Sequence, residues 1–429
     1  MTQASHLSRR RVLGAGLAAA AAGPLAGCAN LGFGPSIGRV VVVGGGYGGA
    51  TAARYLRLWG GNVDVTLVER NANFVSCPIS NLVLGGHKQM SDITLSYAGL
   101  EAVGVKRIQG DAVAIDPQAK EVRLADGRKL PYDRVIVSPG IDFMLDQVAG
   151  LAEPAAQEKI LHSWKAGAQT VALRRQLEAM PDGGVYALAI PKVPYRCPPG
   201  PYERACMVAS YLKQFKPKSK VLVLDANPEI QSKKALFEKA FADHYKGIIE
   251  YRPNNELKQV DAATNTAKLE FDDVKADVLN VVPPQRAGDI ARTTGLVNMN
   301  NRWVGVDWLT MESTAVPGVH VLGDATFSAP LMPKSGHMAN QHAKVAAAAI
   351  IELLKGQPVN PTPVVLNTCY SFVTARDVIH VASVHQYDAK DKIFKTVPGS
   401  GGVSVAANQV EGRNALAWAE NIWADMLAT

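Results

Sequence analysis

The cysteines are the residues of this chain whose types and surroundings most directly suggest chemistry. Cys197 lies in "YRCPPGPYERA", beside Arg196 and just before a predicted helix, and both features lower the pKa of a thiol. The alternative for Cys197 is a small buried packing residue, which we expect of Cys206 in "RACMVASYL". Its candidate redox partner is Cys369, far along the chain in "LNTCYS". Sequence alone does not show that two such distant cysteines meet.

A glycine-rich turn near residue 44 predicts a dinucleotide site. Residues 39–70 are predicted as strand, turn, helix and strand, and the turn fills the pattern G-x-G-x-x-G. Such a turn lets the backbone approach a pyrophosphate, which the positive end of the helix then stabilises. Glu69 ends the second strand, where a carboxylate accepts hydrogen bonds from a ribose hydroxyl. The assigned residues are Gly44, Gly45, Gly46, Gly49 and Glu69, and the alternative is a tight packing turn.

Two later segments favour FAD over NAD, a choice that the glycine motif does not decide. "LPYDRVIVSPG", which ends at Gly140, is typical of the strand that returns the chain to the nucleotide domain in flavoproteins with two dinucleotide domains. "VPGVHVLGDA" is typical of their second flavin signature, in which Asp324 after Gly323 meets the ribitol. A Gly-Asp pair after a strand is commonly just a turn, so its weight comes from following the other two signals in order.

A second strand-helix-strand unit has the layout of an NAD domain but lacks the phosphate-binding loop of such a domain. These elements are predicted at residues 185–190, 202–213 and 220–224. Prolines fill the loop at 191–201, and proline removes N–H donors and forbids the positive φ angles that a phosphate-binding loop uses. NAD(P)H is therefore disfavoured as the electron donor.

Length, leader and charge limit the classes of function. A chain of 429 residues accommodates two or three domains. The stretch "SRRRVL" followed by small apolar residues predicts a twin-arginine export leader and a periplasmic protein. Cys28 lies in a possible lipoprotein cleavage box, with plain cleavage nearby as the alternative. The formal charge of +7 includes three leader arginines and is too mild to suggest nucleic acid, and no Cys/His cluster has metal-site spacing.

Several longer segments make the chain similar to the flavoprotein subunit of flavocytochrome c sulfide dehydrogenase, a relative of the sulfide:quinone oxidoreductases. The segments are "VVVVGGGYGGATAARYL", "FVSCPISNLVLGG", "SWKAGAQTVALRRQLEAMPDGG", "YRCPPGPYERA", "KADVLNVVPPQRAG", "VLGDA", "MPKSG" and "LNTCYS". The resemblance implies an α/β fold with two dinucleotide-binding (Rossmann-like) domains of the glutathione-reductase type plus a C-terminal α+β domain.

The resemblance also implies the roles of the site residues. In that family the cysteine matching Cys77 is bonded through sulfur to FAD, although the residues alone favour an ordinary packed thiol there. The family's catalytic disulfide falls on Cys197 and Cys369, and it implies that hydrosulfide opens this bridge by thiol-disulfide exchange before two electrons reach FAD. Glu203 is the candidate acid or base, with a simple helix-dipole charge as the alternative. Besides the roles implied by the resemblance, the remaining candidate cofactor-binding residues are Val113, Gly140, Gly323, Asp324, Lys334, Ser335 and Gly336.

The segment "MPKSGHMANQHAKVAAAAI" opens an alanine-rich predicted helix. Its N-terminus at Ser335 and Gly336 is expected to face the flavin ring, where negative charge collects on reduction. Lys334 adds positive charge there or is a solvated lysine, and neither His337 nor His342 receives a role.

The electron acceptor implied by the resemblance is a separate c-type cytochrome subunit, since the chain has no CxxCH haem-attachment motif. The first alternative is a sulfide:quinone oxidoreductase that meets the membrane. The C-terminal helix, predicted at 413–429, carries Glu420, Asn421 and Asp425 where a membrane-surface helix usually carries Lys or Arg, which favours core or subunit packing. The second alternative is a non-catalytic FAD-binding partner protein, and the third is a pyridine-nucleotide disulfide reductase.

The predicted organisation has five parts. The leader covers residues 1–28, and the FAD domain combines residues 37–160 with residues 286–356. A degenerate NAD-like domain at 161–285 separates them, and residues 357–429 form a C-terminal flavin or interface domain.

Overall fold

The computed structural model describes residues 35–429, so the predicted leader and the cleavage box at Cys28 lie outside the described residues. The strands of this part are β1 (Gly38–Val43), β2 (Val63–Glu69), β3 (Phe74–Val75), β4 (Thr94–Leu95), β5 (Lys106–Gln109), β6 (Ala112–Asp116), β7 (Glu121–Leu124), β8 (Lys129–Pro131), β9 (Arg134–Val137), β10 (Ile141–Phe143), β11 (Val185–Ile190), β12 (Lys220–Asp225), β13 (Ile249–Arg252), β14 (Gln259–Asp261), β15 (Thr266–Lys268), β16 (Asp273–Lys275), β17 (Val278–Val281), β18 (Gln285–Ala287), β19 (Val319–Val321), β20 (Val364–Phe372), β21 (Val378–Asp388), β22 (Ile393–Thr396) and β23 (Gly402–Val403). The helices are α1 (Tyr47–Gly60), α2 (Ser80–Leu84), α3 (Ala98–Ala102), α4 (Pro154–Lys159), α5 (Ala168–Ala179), α6 (Gly200–Phe215), α7 (Lys234–His244), α8 (Asp289–Thr293), α9 (Gly336–Lys355) and α10 (Gln409–Leu427).

A five-stranded parallel sheet in the order β19-β9-β1-β2-β5 carries the glycine turn at the end of β1. The valines at 40–43 are almost fully buried, as expected of a parallel strand covered on both faces. Helices α1 and α9 pack together against this sheet, so residues far apart in sequence build one nucleotide-binding unit.

A second parallel sheet has the order β13-β12-β11-β17 and has a separate apolar cluster on each face. Two such sheets confirm the predicted α/β fold with two dinucleotide-binding units. The domain boundaries stay predictions, and the one between 285 and 286 falls inside β18, which pairs with β10 of the first segment. Among residues 35–429, no helix is both long and apolar enough to cross a membrane.

The last part of the chain is an antiparallel sheet, β20-β21-β22 with β23 beside β21, followed by α10. Helix α10 starts four residues earlier than predicted because the Asn408 side chain caps it by accepting a hydrogen bond from Glu411 N. Its residues Ile422, Trp423 and Met426 are buried, which agrees with core packing of this helix.

Candidate functional site

A cavity of about 880 Å³ lies where the two parallel sheets and the C-terminal sheet meet. It is lined by the glycine turn after β1, the loop that contains Cys77, the start of α6, the start of α9 and the end of β20. All predicted catalytic residues line it, and so do all predicted cofactor residues except Gly49. The exposed Val113 contributes to one edge.

The glycine turn brings backbone close to backbone. Gly44 has φ +96°, and a Cβ there would lie 2.4 Å from Ser138 O. A Cβ at Gly49 would lie 1.7 Å from Gly44 O, so Gly49 lets α1 begin directly behind the turn rather than lining the cavity. A Cβ at Gly46 would meet no atom of residues 35–429 within 4 Å.

Glu69 is buried at the end of β2 and holds the turn in place. Its Oε2 accepts a hydrogen bond from Gly45 N at 2.7 Å, and its Oε1 accepts one from Asn71 N at 2.8 Å. A carboxylate has further lone pairs, so these contacts fix the group without excluding a ligand hydroxyl. The predicted ribose contact of Glu69 stays a prediction.

Asp324 lines the cavity, and one oxygen of its buried carboxylate has no hydrogen-bond partner among the described residues. Its Oδ1 is buried and accepts no hydrogen bond from the described residues, while Oδ2 lies 3.9 Å from Arg196 Nη1. Burial raises the pKa of Asp324, and Arg196 and Lys334 oppose that rise. Because a buried oxygen of this kind normally has a donor, the site fits a polyol hydroxyl such as that of the FAD ribitol.

Lys334 is buried, so the alternative of a solvated lysine is wrong. Its Nζ donates to Asp324 O at 3.0 Å and to Thr326 O, and it lies 3.8 Å from the centre of the Trp303 ring. Burial lowers the pKa of Lys334 to about 7. The sequence does not reveal that Lys334 is buried, because the partners of its amine are backbone carbonyl groups that only the folded chain brings close to it.

The N-terminus of α9 is capped by Ser335, whose Oγ accepts a hydrogen bond from Met338 N at 3.0 Å. The same hydroxyl donates to Asn367 Oδ1 at 2.6 Å and ties α9 to β20. A Cβ at Gly336 would lie 3.0 Å from the Tyr47 ring, which explains why the helix opens with glycine. Both residues line the cavity, as do Gly140 and Gly323.

Cys77 lies between β3 and α2 with its sulfur at the cavity wall. Its Sγ accepts hydrogen bonds from Arg196 Nη2 at 3.2 Å and from Ala166 N at 3.4 Å. Arg196 also donates to Trp164 O, so one guanidinium from the loop before α6 links Cys77, Asp324 and the segment before α5.

Cys197 has the left-handed φ of +57°, and its backbone N donates to Lys334 O at 2.8 Å. Its exposed surface opens into the cavity. The predicted lowering of its pKa is wrong for the free thiol: burial by the surrounding protein raises it, and Cys369 and Glu203 raise it further. Arg196 acts in the predicted direction, but its effect is smaller.

Cys369 lies on β20 and lines the same cavity as Cys197. The Asn367 amide nitrogen donates to its sulfur at 3.3 Å. Both thiols are free in this structure, and Cys369 raises the pKa of Cys197, so the fold brings together two cysteines that the sequence leaves far apart.

Glu203 lies in the first turn of α6 and bridges α6 to two further elements. Its Oε1 accepts a hydrogen bond from Phe372 N, and its Oε2 accepts one from Asn81 Nδ2, both at 2.8 Å. Burial raises the pKa of Glu203, which favours the protonated carboxyl that a proton donor needs.

Sequence reasoning missed two buried cations beside the cysteines, Arg204 and Lys233. Arg204 donates to His162 O at 2.7 Å and to Asn280 Oδ1 at 3.0 Å, which joins α6 to β17. A usable signal was present for Arg204, because it precedes the apolar run "ACMVA" in a helix. Lys233 follows polar residues and carries no such signal.

Comparisons with known proteins agree with this geometry. Models of the sulfide dehydrogenase [flavocytochrome c] flavoprotein chain, central domain, match residues 170–283, and those of the flavocytochrome c sulphide dehydrogenase flavin-binding domain match residues 361–427. Residues 38–177 match the pyridine nucleotide-disulphide oxidoreductase model. The sulfide dehydrogenase [flavocytochrome c] flavoprotein chain of Chlorobaculum thiosulfatiphilum is 60% identical over 45 residues, which are 10% of this chain and 94% of that sequence. This chain belongs to the flavocytochrome c sulfide dehydrogenase flavoprotein family.

Members of the wider group extend the match over more of the chain. The mitochondrial sulfide:quinone oxidoreductase of Mus musculus is 25% identical over 67% of this chain, and the chain spans 65% of the length of that relative. The solved sulfide:quinone oxidoreductase of Aquifex aeolicus has a TM-score of 0.73 at 21% identity, covering 90% of this chain and 91% of that one. A putidaredoxin reductase structure gives 0.65 at 18% identity, covering 90% and 94%, and shows the same fold. As a member of this flavoprotein family, the chain is an FAD-binding oxidoreductase.

Proposed function

We propose that this protein is an FAD-dependent sulfide dehydrogenase in which Cys197 and Cys369 form a redox-active disulfide. The observation that carries the proposal is their position: two cysteines from different parts of the chain line the cavity that also contains the glycine turn. A protein that only bound FAD would have no use for both thiols there.

The residues that would hold FAD are the predicted cofactor-binding residues that line the cavity. The glycine turn and the start of α1 would take the pyrophosphate, and the free oxygen of Asp324 would take a ribitol hydroxyl. The start of α9 would face the ring system. When bound, FAD supplies an acceptor for two electrons.

The chain's own residues account for the chemistry of the sulfur. Hydrosulfide attacks one sulfur of the bridge, a new S–S bond forms, the old S–S bond breaks, and its electron pair leaves on the second cysteine as a thiolate. The buried Glu203 is the candidate acid or base for the proton of hydrosulfide: burial raises its pKa, so the ionised carboxylate is a stronger base and the protonated carboxyl is the favoured form. Arg196 and Lys233 supply positive charge beside the sulfurs.

The loop before α6 supports sulfide rather than NAD(P)H as the electron donor. Asn227 fastens this loop to β12: its Nδ2 donates to Pro191 O at 3.0 Å, and its Oδ1 accepts from Val193 N at 3.1 Å. Asp225, at the strand end where an NAD domain binds ribose, accepts a hydrogen bond from Tyr202 OH at 2.7 Å and is fully buried.

The experiment is anaerobic titration of the purified flavoprotein with sulfide while flavin absorbance is recorded. The wild-type flavin bleaches with sulfide, whereas Cys197→Ser and Cys369→Ser do not bleach. Cys206→Ser, which removes a buried thiol outside the cavity, bleaches normally. A wild-type flavin that sulfide leaves oxidised, or rapid bleaching by NADH, overturns the proposal.

Two further parts of the proposal concern the attachment of FAD to the protein and the acceptor of its electrons. We propose a covalent bond from Cys77 to FAD, because this sulfur lines the cavity and has Arg196 beside it. Mass measurement after acid denaturation tests the bond, and flavin that separates freely from the polypeptide removes it.

For the acceptor we propose a c-type cytochrome subunit in the periplasm. The family models support a cytochrome, while the name of the mouse relative points to quinone as the second candidate. Turnover with sulfide is compared with cytochrome c and with a soluble quinone as acceptors. Faster turnover with quinone overturns the cytochrome assignment and leaves sulfide oxidation intact.

A further inference from the structure

Lys233 is a buried lysine beside the cysteine pair to which neither the motifs nor the family comparisons give a role. It directly precedes α7, is 8% exposed and has the left-handed φ of +57°. A non-glycine residue in that region costs about 1 kcal/mol or more, and such strain collects at functional sites. Burying an ammonium adds a further cost unless a negative group compensates it.

The contacts of the Lys233 amine satisfy its N–H groups but not its charge. Its Nζ donates to Ser371 Oγ at 2.8 Å, to Cys369 O at 3.0 Å and to Ile379 O at 3.5 Å. All three acceptors are neutral and belong to β20 and β21. Lys233 therefore fixes the backbone of the strand that carries Cys369, while no carboxylate of residues 35–429 forms an ion pair with its amine.

The acidic groups that act on Lys233 come from four elements. Cys369 of β20 has the largest effect, followed by Glu203 of α6, Cys197 of the preceding loop and Glu411 of α10. The Glu203 carboxylate is already engaged by Phe372 N and Asn81 Nδ2. The Cys369 thiol is thus the acid best placed to supply the missing negative charge.

The influences on the pKa of Cys369 also indicate a pairing between Cys369 and Lys233. Burial raises the pKa of Cys369, and Lys233 is the strongest influence that lowers it. Asn367 and Ser335 act in the same direction as Lys233, while Glu203 acts against it. Burial lowers the pKa of Lys233 to about 8, and Cys369 has the largest effect among the groups that oppose this lowering.

We propose that Lys233 is a positioning residue of the cysteine pair, whose ammonium fixes the Cys369 backbone and stabilises the thiolate form of Cys369 when the pair is reduced. Only the redox role of the pair rests on the proposed function, because the contacts exist without it. In a disulfide neither sulfur is charged. Opening the bridge provides the counter-charge that the buried ammonium lacks, without requiring a proton from solvent.

The experiment measures alkylation of Cys369 by iodoacetamide as a function of pH in the dithiol form of the FAD-loaded protein, with the modified residue identified by peptide mass. Lys233→Met removes charge and donors, whereas Lys233→Gln keeps donors without charge. Both are expected to slow alkylation of Cys369 about tenfold near neutral pH, since each unit of pKa changes the thiolate fraction tenfold. Lys234→Met is the matched control, because that neighbour is exposed and pairs with Glu229 at 2.8 Å.

An unchanged alkylation profile of Cys369 in folded Lys233→Met or Lys233→Gln overturns the proposal. If neither variant folds, the wild-type protein decides through the reciprocal effect, because a thiolate at Cys369 must favour the charged amine. Acetylation of Lys233 by acetic anhydride is then slower in the dithiol form than in the oxidised form, and equal rates overturn the proposal. Failure of the proposed function gives a different experimental result. In that case sulfide leaves the wild-type flavin oxidised, whatever the alkylation profile of Cys369.

Discussion

A Cβ atom at Gly49 would lie 1.7 Å from the carbonyl oxygen of Gly44, so the third glycine of the turn is required by the fold before any ligand binds. Gly46 differs, since a Cβ there would meet no described atom within 4 Å. The two glycines of one motif therefore serve different purposes, one for packing α1 against the turn and one for leaving room in the cavity.

This difference predicts opposite results for two alanine variants. Gly49→Ala is expected to lower the free energy of unfolding by about 2–4 kcal/mol, because the new methyl group forces α1 away from the turn. Gly46→Ala keeps the stability of the polypeptide and lowers the amount of bound FAD. Thermal unfolding and flavin content measure the two effects. A Gly49→Ala protein as stable as Gly46→Ala contradicts the packing role.

The unpartnered oxygen of Asp324 predicts a loss of FAD affinity when the carboxylate is removed. In a Cys77→Ala background, where the flavin binds reversibly, Asp324→Ala is expected to weaken FAD binding about 10–100-fold, the value of one hydrogen bond to a charged acceptor. Fluorescence titration with FAD measures it. Asp126→Ala is the control, because that exposed carboxylate pairs with Arg128 at 2.6 Å. Equal affinities in the two variants contradict the assignment.

The parts of the site that the sequence predicts are those whose meaning is local. Gly44, Gly46 and Gly49 follow one strand and open one helix, so their spacing alone fixes their surroundings. The proline loop before α6 is local in the same way. The α/β fold follows from such units, because buried parallel strands and their helices have recognisable patterns.

The parts that the sequence does not predict depend on burial and on distant neighbours. Arg196 beside Cys197 predicts a lowered thiol pKa, but the desolvation of the thiol by the folded protein outweighs the effect of Arg196. Lys233 and Cys369 are joined by a contact between a loop and β20 that no local pattern encodes. Desolvation depends on the tertiary structure. A neighbour in the sequence, such as Arg196, therefore indicates the direction of its own effect on the thiol pKa, but it does not indicate whether desolvation outweighs that effect.

Arg204 predicts a large effect on stability. It is 2% exposed and donates to His162 O, Ser163 O, Asn81 Oδ1 and Asn280 Oδ1. Arg204→Met removes the donor of Ser163 O and Asn81 Oδ1, while His162 O and Asn280 Oδ1 keep Asn280 Nδ2 and Tyr186 OH as donors. The loss of these bonds in a buried site is expected to cost about 3 kcal/mol of unfolding free energy. Denaturant unfolding measures this cost. The matched control is Arg175→Met on the exposed side of α5, which is expected to change stability by less than about 0.5 kcal/mol.

His320 of β19 predicts a loss of stability in acid that is independent of the cavity. Burial lowers the pKa of His320 to about 4, and its Nε2 has no partner among the described residues while Nδ1 contacts Thr310 O at 2.8 Å. The hydrogen bond with Thr310 and the charges of Glu312 and Asp307 raise the pKa of His320, and Arg134 lowers it.

The sign of the effect follows from the protons bound by each state. The unfolded chain protonates His320 near pH 6.5 and the folded chain only near pH 4, so between these values the unfolded state binds more protons. The contribution of His320 to stability is therefore present above pH 6.5 and is lost as the pH falls toward 4, by at most about 1.4 kcal/mol per pH unit. Denaturant unfolding at several pH values measures the slope for wild type, His320→Gln and the control His244→Gln. His320→Gln is expected to show the shallower slope and His244→Gln the wild-type slope, whereas equal slopes in all three proteins contradict a neutral buried imidazole at His320.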